Sequence, residues 1–183
     1  MLPIGRSMRT CLATAAVACL AACNPTNGLN GPLAFDVENA GAVVDTDGGV
    51  PWDAHVYIWG NVADGGTELA TVCSEVTPVG PVNSAVVQNL VALNLQGGAA
   101  GLSTGTFAVG GDGGPNSATA VVSLGANGDQ PDEVWFGVSG SVTLSSMDSS
   151  LIVGNFQLSL QPVAGNPDAG SLSGSFAASP CKP

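Results

Sequence analysis

Apolar and polar residues alternate with a period of two along the last third of the chain. In the clearest run, from Val138 to Ser145, valine, glycine and leucine alternate with serine and threonine. Residues 154–160 and 171–176 repeat the pattern, and clusters of turn-forming residues separate the three runs. A period of two places alternate side chains on opposite faces of a β-strand. The pattern predicts an antiparallel meander of three long strands, each with one buried face and one polar face.

Weaker alternation continues towards the N-terminus. It predicts further strands at 33–37, 55–62, 68–76, 85–95, 105–109 and 118–124. Loops rich in Gly, Asp, Asn and Pro are predicted at 45–51, 97–101, 110–116 and 125–132. Residues 84–96 are also compatible with a helix, but their valines and the alternation of Leu93 and Leu95 favour a strand. Eight or nine strands with glycine-rich turns predict an all-β domain, either an antiparallel β-sandwich or a closed β-barrel-like sheet.

The N-terminus has a different pattern. Arg6 and Arg9 precede an uncharged apolar run at 11–20. This run is shorter than the roughly 20 residues that a membrane-spanning helix needs, and it has the length of a signal-peptide core. Residues 24–32 (NPTNGLNGP) are turn formers without periodicity. We therefore expect a tether over 23–32 and a β-sandwich domain over 33–183.

The apolar run ends in Leu20-Ala21-Ala22-Cys23, which resembles the lipobox of bacterial lipoproteins. The resemblance implies a signal peptide at 1–22, cleavage after Ala22, and acyl chains such as palmitate on Cys23. Asn24 follows, where an aspartate would imply retention in the inner membrane, so the resemblance favours the outer membrane. A plain secretory signal or a buried helix is the alternative. Translation from Met8 instead of Met1 would keep Arg9 and the apolar run.

The C-terminal meander carries a second resemblance. Gly140-Ser141-Val142-Thr143-Leu144, Val153-Gly154-Asn155-Phe156, Ser173-Gly174-Ser175-Phe176 and Cys181 are similar to the end of small bacterial lipoproteins of unknown function. Asn155 departs from that pattern, which has a small residue at this position. The resemblance implies a β fold and brings no activity with it.

The five cysteines acquire distinct roles under the lipobox interpretation. Cys11 and Cys19 leave with the signal peptide and Cys23 is acylated, so Cys73 and Cys181 remain. Since an exported protein meets an oxidising compartment, we expect these two to form a disulfide. A redox or metal-binding pair is the alternative, although no Cys-x-x-Cys motif is present.

The charge balance is strongly acidic, with a net charge of −11. Removal of residues 1–22 would leave 14 acids against one lysine, Lys182. Nucleic-acid binding is not expected, because it requires Lys and Arg to neutralise phosphates. Acidity of this kind favours solubility.

No catalytic residue is predicted. His55 is the only histidine and lies in an alternating stretch that predicts a strand face. No Gly-x-Ser-x-Gly motif stands between a strand and a helix, and the sequences around Ser139 and Ser141 fall inside a predicted strand. An enzyme is therefore not expected.

Metal binding has one weak candidate and no cofactor is predicted. Asp45, Asp47 and Asp53 occupy positions one, three and nine of an EF-hand-like loop, but Val50 and Val56 stand where Gly and Glu belong. A looser calcium site and a solvated acidic turn remain open. Zinc is not expected, because the chain has too few free His and Cys ligands.

Three aromatic residues form a candidate binding patch: Trp52, Tyr57 and Trp59. Tyr57 and Trp59 are two residues apart, so on a strand they share a face. If that face is solvated, it offers a platform for a sugar or a peptide. If it is buried, the aromatics pack the core.

These patterns together predict a cell-envelope lipoprotein with a structural or interaction role. The expected partners are the lipid bilayer, through acylated Cys23, and an envelope protein or glycan. A ligand-binding module for carbohydrate or calcium on the same β scaffold is the alternative.

Overall fold

The computed structural model describes residues 27–60, 73, 89–110, 114–125, 133–163 and 168–181. The described elements are nine strands, which confirms the predicted all-β class. They are β1 (Gly28–Asn30), β2 (Asn39–Asp47), β3 (Val50–Gly60), β4 (Asn89–Gln96), β5 (Gly105–Val109), β6 (Ser117–Leu124), β7 (Glu133–Met147), β8 (Ile152–Pro162) and β9 (Gly170–Pro180). The signal peptide, Cys23 and the predicted strand at 68–76, except Cys73, lie outside the described residues. Within the described ranges, no helix has the length and apolar character that crossing a membrane requires.

All nine strands belong to one sheet whose pairings run round a ring. The strands follow the order β1-β9-β2-β3-β4-β6-β5-β7-β8, and β8 pairs again with β9. The predicted meander β7-β8-β9 is antiparallel throughout. Two parallel pairings occur, between β2 and β9 and between β5 and β6. The sheet is therefore a single ring-like layer, closer to the closed alternative than to two separate sheets.

The inner face of the ring holds the hydrophobic core. Along β8, Ile152, Gly154, Phe156, Leu158 and Leu160 are buried and the residues between them are exposed or half-buried, as the period of two predicted. Each large apolar side chain buried in this way stabilises the fold by about 1.5–3 kcal/mol. Residues 89–96 form a strand rather than a helix, with Val91, Leu93 and Leu95 in the same core.

The predicted loop at 45–51 is instead the tip of a β-hairpin. β2 continues to Asp47 and β3 begins at Val50, and these two residues pair directly. Gly48 and Gly49 form the connection, with φ of 57° and 86°. Positive φ at both central residues is the requirement of a type I′ turn, which matches the twist of the flanking strands. The turn residues were recognised in the sequence, but the loop was predicted five residues too long.

Two β-bulges interrupt the alternation and expose apolar residues. In β7, Gly137 pairs with Leu160 and Ser139 with Ser159, so Val138 has no partner on β8. Val138 is 46% exposed, and its predicted place on the buried face with Val142 is wrong. In β3 the register shifts in the same way at Trp52, between the pairs of Asp45 and Thr46. A bulge adds one residue to one strand and redirects its side chain.

The start of the domain also differs from the prediction. Residues 28–30, assigned to the tether, form β1 and pair with β9. The predicted strand at 33–37 is a turn and a connecting segment, in which Leu33, Phe35 and Val37 pack against the core without pairing. The apolar alternation was real, but it reports packing of these side chains onto the ring rather than strand formation.

Candidate functional site

The point at which the chain enters the sheet is closely fixed. Asn27 is the first described residue after the lipobox, and its side-chain oxygen accepts a hydrogen bond of 2.7 Å from the amide of Ala177. β1 follows immediately and pairs with Ser173–Ser175. Four residues therefore separate Cys23, the predicted acylation site, from Gly28, the first residue of the sheet.

The structure joins Cys73 and Cys181 in a disulfide, with their Cα atoms 5.3 Å apart. This agrees with the pairing expected from the cysteine count. The amide of Cys181 donates a hydrogen bond of 2.7 Å to the carbonyl of Ala42, which fixes the chain just after β9. The bond links positions 108 residues apart. Because both sulfurs are used, the pair offers no thiolate to a metal.

The predicted aromatic patch does not form one surface. Tyr57 is 5% exposed and Trp59 is fully buried, whereas Trp52 is 40% exposed. Tyr57 and Trp59 lie on the face of β3 opposite to Val56 and Ile58, and both are buried although this face does not belong to the main core cluster. The amide of Glu38 donates to the carbonyl of Trp59 at 2.9 Å. The platform for a sugar or peptide is therefore lost, and Trp52 stands alone.

The three aspartates of the calcium alternative serve the hairpin. Asp45 and Asp53 are direct partners across β2 and β3, and Asp47 ends β2. Within the described part of the chain, no three His, Cys, Asp or Glu residues converge as metal ligands. An extended hairpin keeps successive carboxylates apart, whereas a calcium loop must wrap them around the ion.

A polar ladder crosses four strands on the outer face. The Oδ2 atom of Asp45 lies 3.2 Å from Nε2 of His55, and Nδ1 of His55 lies 2.7 Å from Oδ1 of Asn94. The amide nitrogen of Asn94 donates to Oγ1 of Thr119 at 3.3 Å. The ladder links β2, β3, β4 and β6, and it explains the single histidine as a structural residue.

A shallow pocket lies along this ladder. Its volume is about 150 Å³, and its lining includes Asp53, His55, Asn94, Gln96 and Thr119. Pockets that enclose small ligands are usually about 300–1,000 Å³ and mostly apolar. This pocket is smaller than that, so it does not favour a small-molecule binding module.

Two titratable groups are shifted by their surroundings. Burial raises the pKa of the Tyr57 phenol, and the negative charge of Asp45 raises it further. The pKa of Asp148 is lowered, chiefly by the hydroxyl of Ser150 and also by the amides of Ser150 and Leu151, which donate to the same carboxylate oxygen. Both shifts belong to the architecture of the sheet rather than to a catalytic pair.

The exposed large apolar residues fall into two groups, which the sequence did not indicate. Val50 and Trp52, 49% and 40% exposed, lie beside the Gly48–Gly49 turn. Phe136, Val138 and Val163 lie on β7 and just after β8, where the amide of Val163 donates to the carbonyl of Val134. The exposure of Trp52 and Val138 follows from the bulges at these two residues, which no alternation pattern reveals.

No protein-family model matches the chain, and no curated protein or solved structure resembles it.

Proposed function

We propose that this chain is a lipid-anchored protein of the bacterial cell envelope with a structural or interaction role. The observation that carries the proposal is the lipobox-like Leu20-Ala21-Ala22-Cys23, which ends five residues before the first strand of the sheet. Three acyl chains on Cys23 would hold the domain at the bilayer, since a single chain binds only marginally. Asn24 favours the outer membrane over the inner membrane.

The fixed position of Asn27 supports an anchor of this kind. The hydrogen bond to Ala177 and the pairing of β1 with β9 connect the N-terminal segment to the last strand of the meander. A force on the lipid anchor would therefore act on the sheet through β1 and its hydrogen bonds to β9. The disulfide between Cys73 and Cys181 suits an oxidising compartment outside the cytoplasm.

An interaction role is supported by the distribution of side chains. Tyr57 and Trp59 are buried, and His55 is held between Asp45 and Asn94. The exposed apolar residues lie on the surface of the ring, with Phe136 52% and Val138 46% exposed. Phe136 and Val138 lie two residues apart on β7, and exposed apolar residues that cluster mark contacts with other macromolecules or lipid.

The test is metabolic labelling with a clickable palmitate analogue in a bacterial host, followed by membrane fractionation. We expect label on the wild type and on Cys19→Ser, whose cysteine lies in the leader, and none on Cys23→Ser. Label that is absent from the wild type, or that persists in Cys23→Ser, would contradict the proposal.

A further inference from the structure

We propose that one end of the sheet rests on the bilayer, with Val50 and Trp52 of the β2–β3 hairpin in the headgroup region. We call this the hairpin end; it comprises the Gly48–Gly49 turn, the β7–β8 turn and the end of β9. The inference rests on the proposed acylation of Cys23.

The direction of the chain identifies this end. β1 runs antiparallel to β9, with Gly28 opposite Ser175 and Asn30 opposite Ser173. The residues before Gly28 therefore leave the sheet towards the C-terminal end of β9. β2 is parallel to β9 and pairs with it through Ala42 and Pro180. Since β2 continues in the same direction to Asp47, the hairpin projects from the end at which the tether leaves.

The length of the tether relative to that of the hairpin determines whether the hairpin can stay away from the membrane. Four residue steps from Asn27 to Cys23 span at most about 14 Å when fully extended. The turn at Gly48 lies six residues beyond Ala42, the partner of Pro180, which corresponds to about 20 Å along the strand. Asn27 contacts Ala177, which lies further back along β9 than Pro180. The hairpin therefore extends further than the tether, and inserting the acyl chains brings its tip to the lipid.

The chemistry of the tip fits an interface. Tryptophan is enriched where membrane meets water, because its large ring is apolar and its N–H remains polar. Trp52 is the exposed tryptophan of the described residues, whereas Trp59 and Trp135 are buried. Asp45 and Asp47 lie on the same hairpin and would be repelled by anionic lipid. A zwitterionic headgroup surface is therefore the occupant that fits.

The hairpin presents these residues on a fixed support. The amide of Leu102 donates to the carbonyl of Pro51 at 2.8 Å, and the amide of Gly97 donates to the carbonyl of Trp52 at 2.9 Å. Gly101 lies close against Val50, with no room for a side chain. Contact with lipid would therefore cost little ordering of the hairpin itself.

The experiment measures quenching of tryptophan fluorescence by phosphatidylcholine that carries a nitroxide near the headgroup. The natively produced protein is reconstituted into these vesicles, together with Trp52→Phe and with Trp52→Phe/Phe136→Trp. The second variant moves the exposed indole to the outer face of β7. We expect quenching in the wild type, a loss of most of it in Trp52→Phe, and no recovery in the double variant.

A parallel sample separates this inference from the anchor. A chain that begins at Cys23 contains every described residue, and it is coupled through Cys23 to a maleimide-bearing lipid in the same vesicles. Quenching of Trp52 in this sample supports the orientation even if the native protein proves unacylated, which would defeat only the proposed function. Absence of Trp52 quenching in the coupled sample, or stronger quenching of the indole at 136, would overturn the orientation.

Discussion

The side-chain oxygen of Asn27 accepts a hydrogen bond from the amide of Ala177 across 150 residues of sequence. It fixes the chain at the point where the tether becomes β1. We expect Asn27→Ala to lower the free energy of unfolding by about 1 kcal/mol, the usual contribution of one such bond. Urea titration measures this loss of stability. Asn30→Ala, at the exposed end of the adjoining strand β1, is the matched control. Equal losses in the two variants would argue against a specific role for Asn27.

Tyr57 is the only tyrosine, so the absorbance of its phenolate can be titrated without interference. Burial and the charge of Asp45 raise its pKa above the ordinary value of 10.0. The folded protein therefore keeps the phenol proton at a pH where the unfolded chain loses it. This contribution to stability is complete below pH 10.0 and is lost as the pH rises through the folded pKa.

Two variants check the cause of that shift. We expect Asp45→Asn to lower the pKa of Tyr57, because it removes the neighbouring charge, and Tyr57→Phe to reduce the alkaline loss of stability. Asp148→Asn, in the β7–β8 turn, should leave the titration unchanged. An ordinary phenol titration in the folded wild type would show that Tyr57 is not buried.

The disulfide closes a long loop in the unfolded chain. With Cys73 and Cys181 separated by 108 positions, the chain-entropy model gives about 4–5 kcal/mol of stabilisation. We expect thermal unfolding to shift to lower temperature on addition of reductant. The double variant Cys73→Ser/Cys181→Ser should unfold at this lower temperature, and reductant should not lower its unfolding midpoint further. A wild type indifferent to reductant would contradict the pairing.

Gly140 is required by the close approach of β7 to β8. Its φ is +129°, and a Cβ atom there would overlap the carbonyl oxygen of Gln157. We expect Gly140→Ala to destabilise the protein by more than about 1 kcal/mol. Gly114→Ala provides the control, since open space surrounds that position. Similar unfolding midpoints for both variants would mean that β7 relaxes without cost.

The alternation of apolar residues was sufficient to predict the C-terminal meander. Phe156, Leu158 and Phe176 lie in the core as their spacing required. The same reasoning placed Val138 on the buried face and failed, because one extra residue in a bulge changes the face without changing the composition. Trp52 is affected in the same way.

The candidate site was harder to predict than the strands. The spacing of Tyr57 and Trp59 showed correctly that they share a face, but it did not show that this face of β3 is buried at both residues. The ladder from Asp45 through His55 to Asn94 depends on strand register, which a single sequence does not specify. The pairing of Cys73 with Cys181 could be predicted, because it follows from the number of remaining cysteines and from an oxidising compartment.

The anchor is tested most directly by mass spectrometry of the N-terminal peptide from protein isolated from bacterial membranes. We expect a peptide that begins at Cys23 and carries the mass of a diacylglycerol group and one further acyl chain. A leader still attached to an unmodified Cys23, or a Cys23 thiol that is free or bonded to another cysteine, would contradict the lipid anchor.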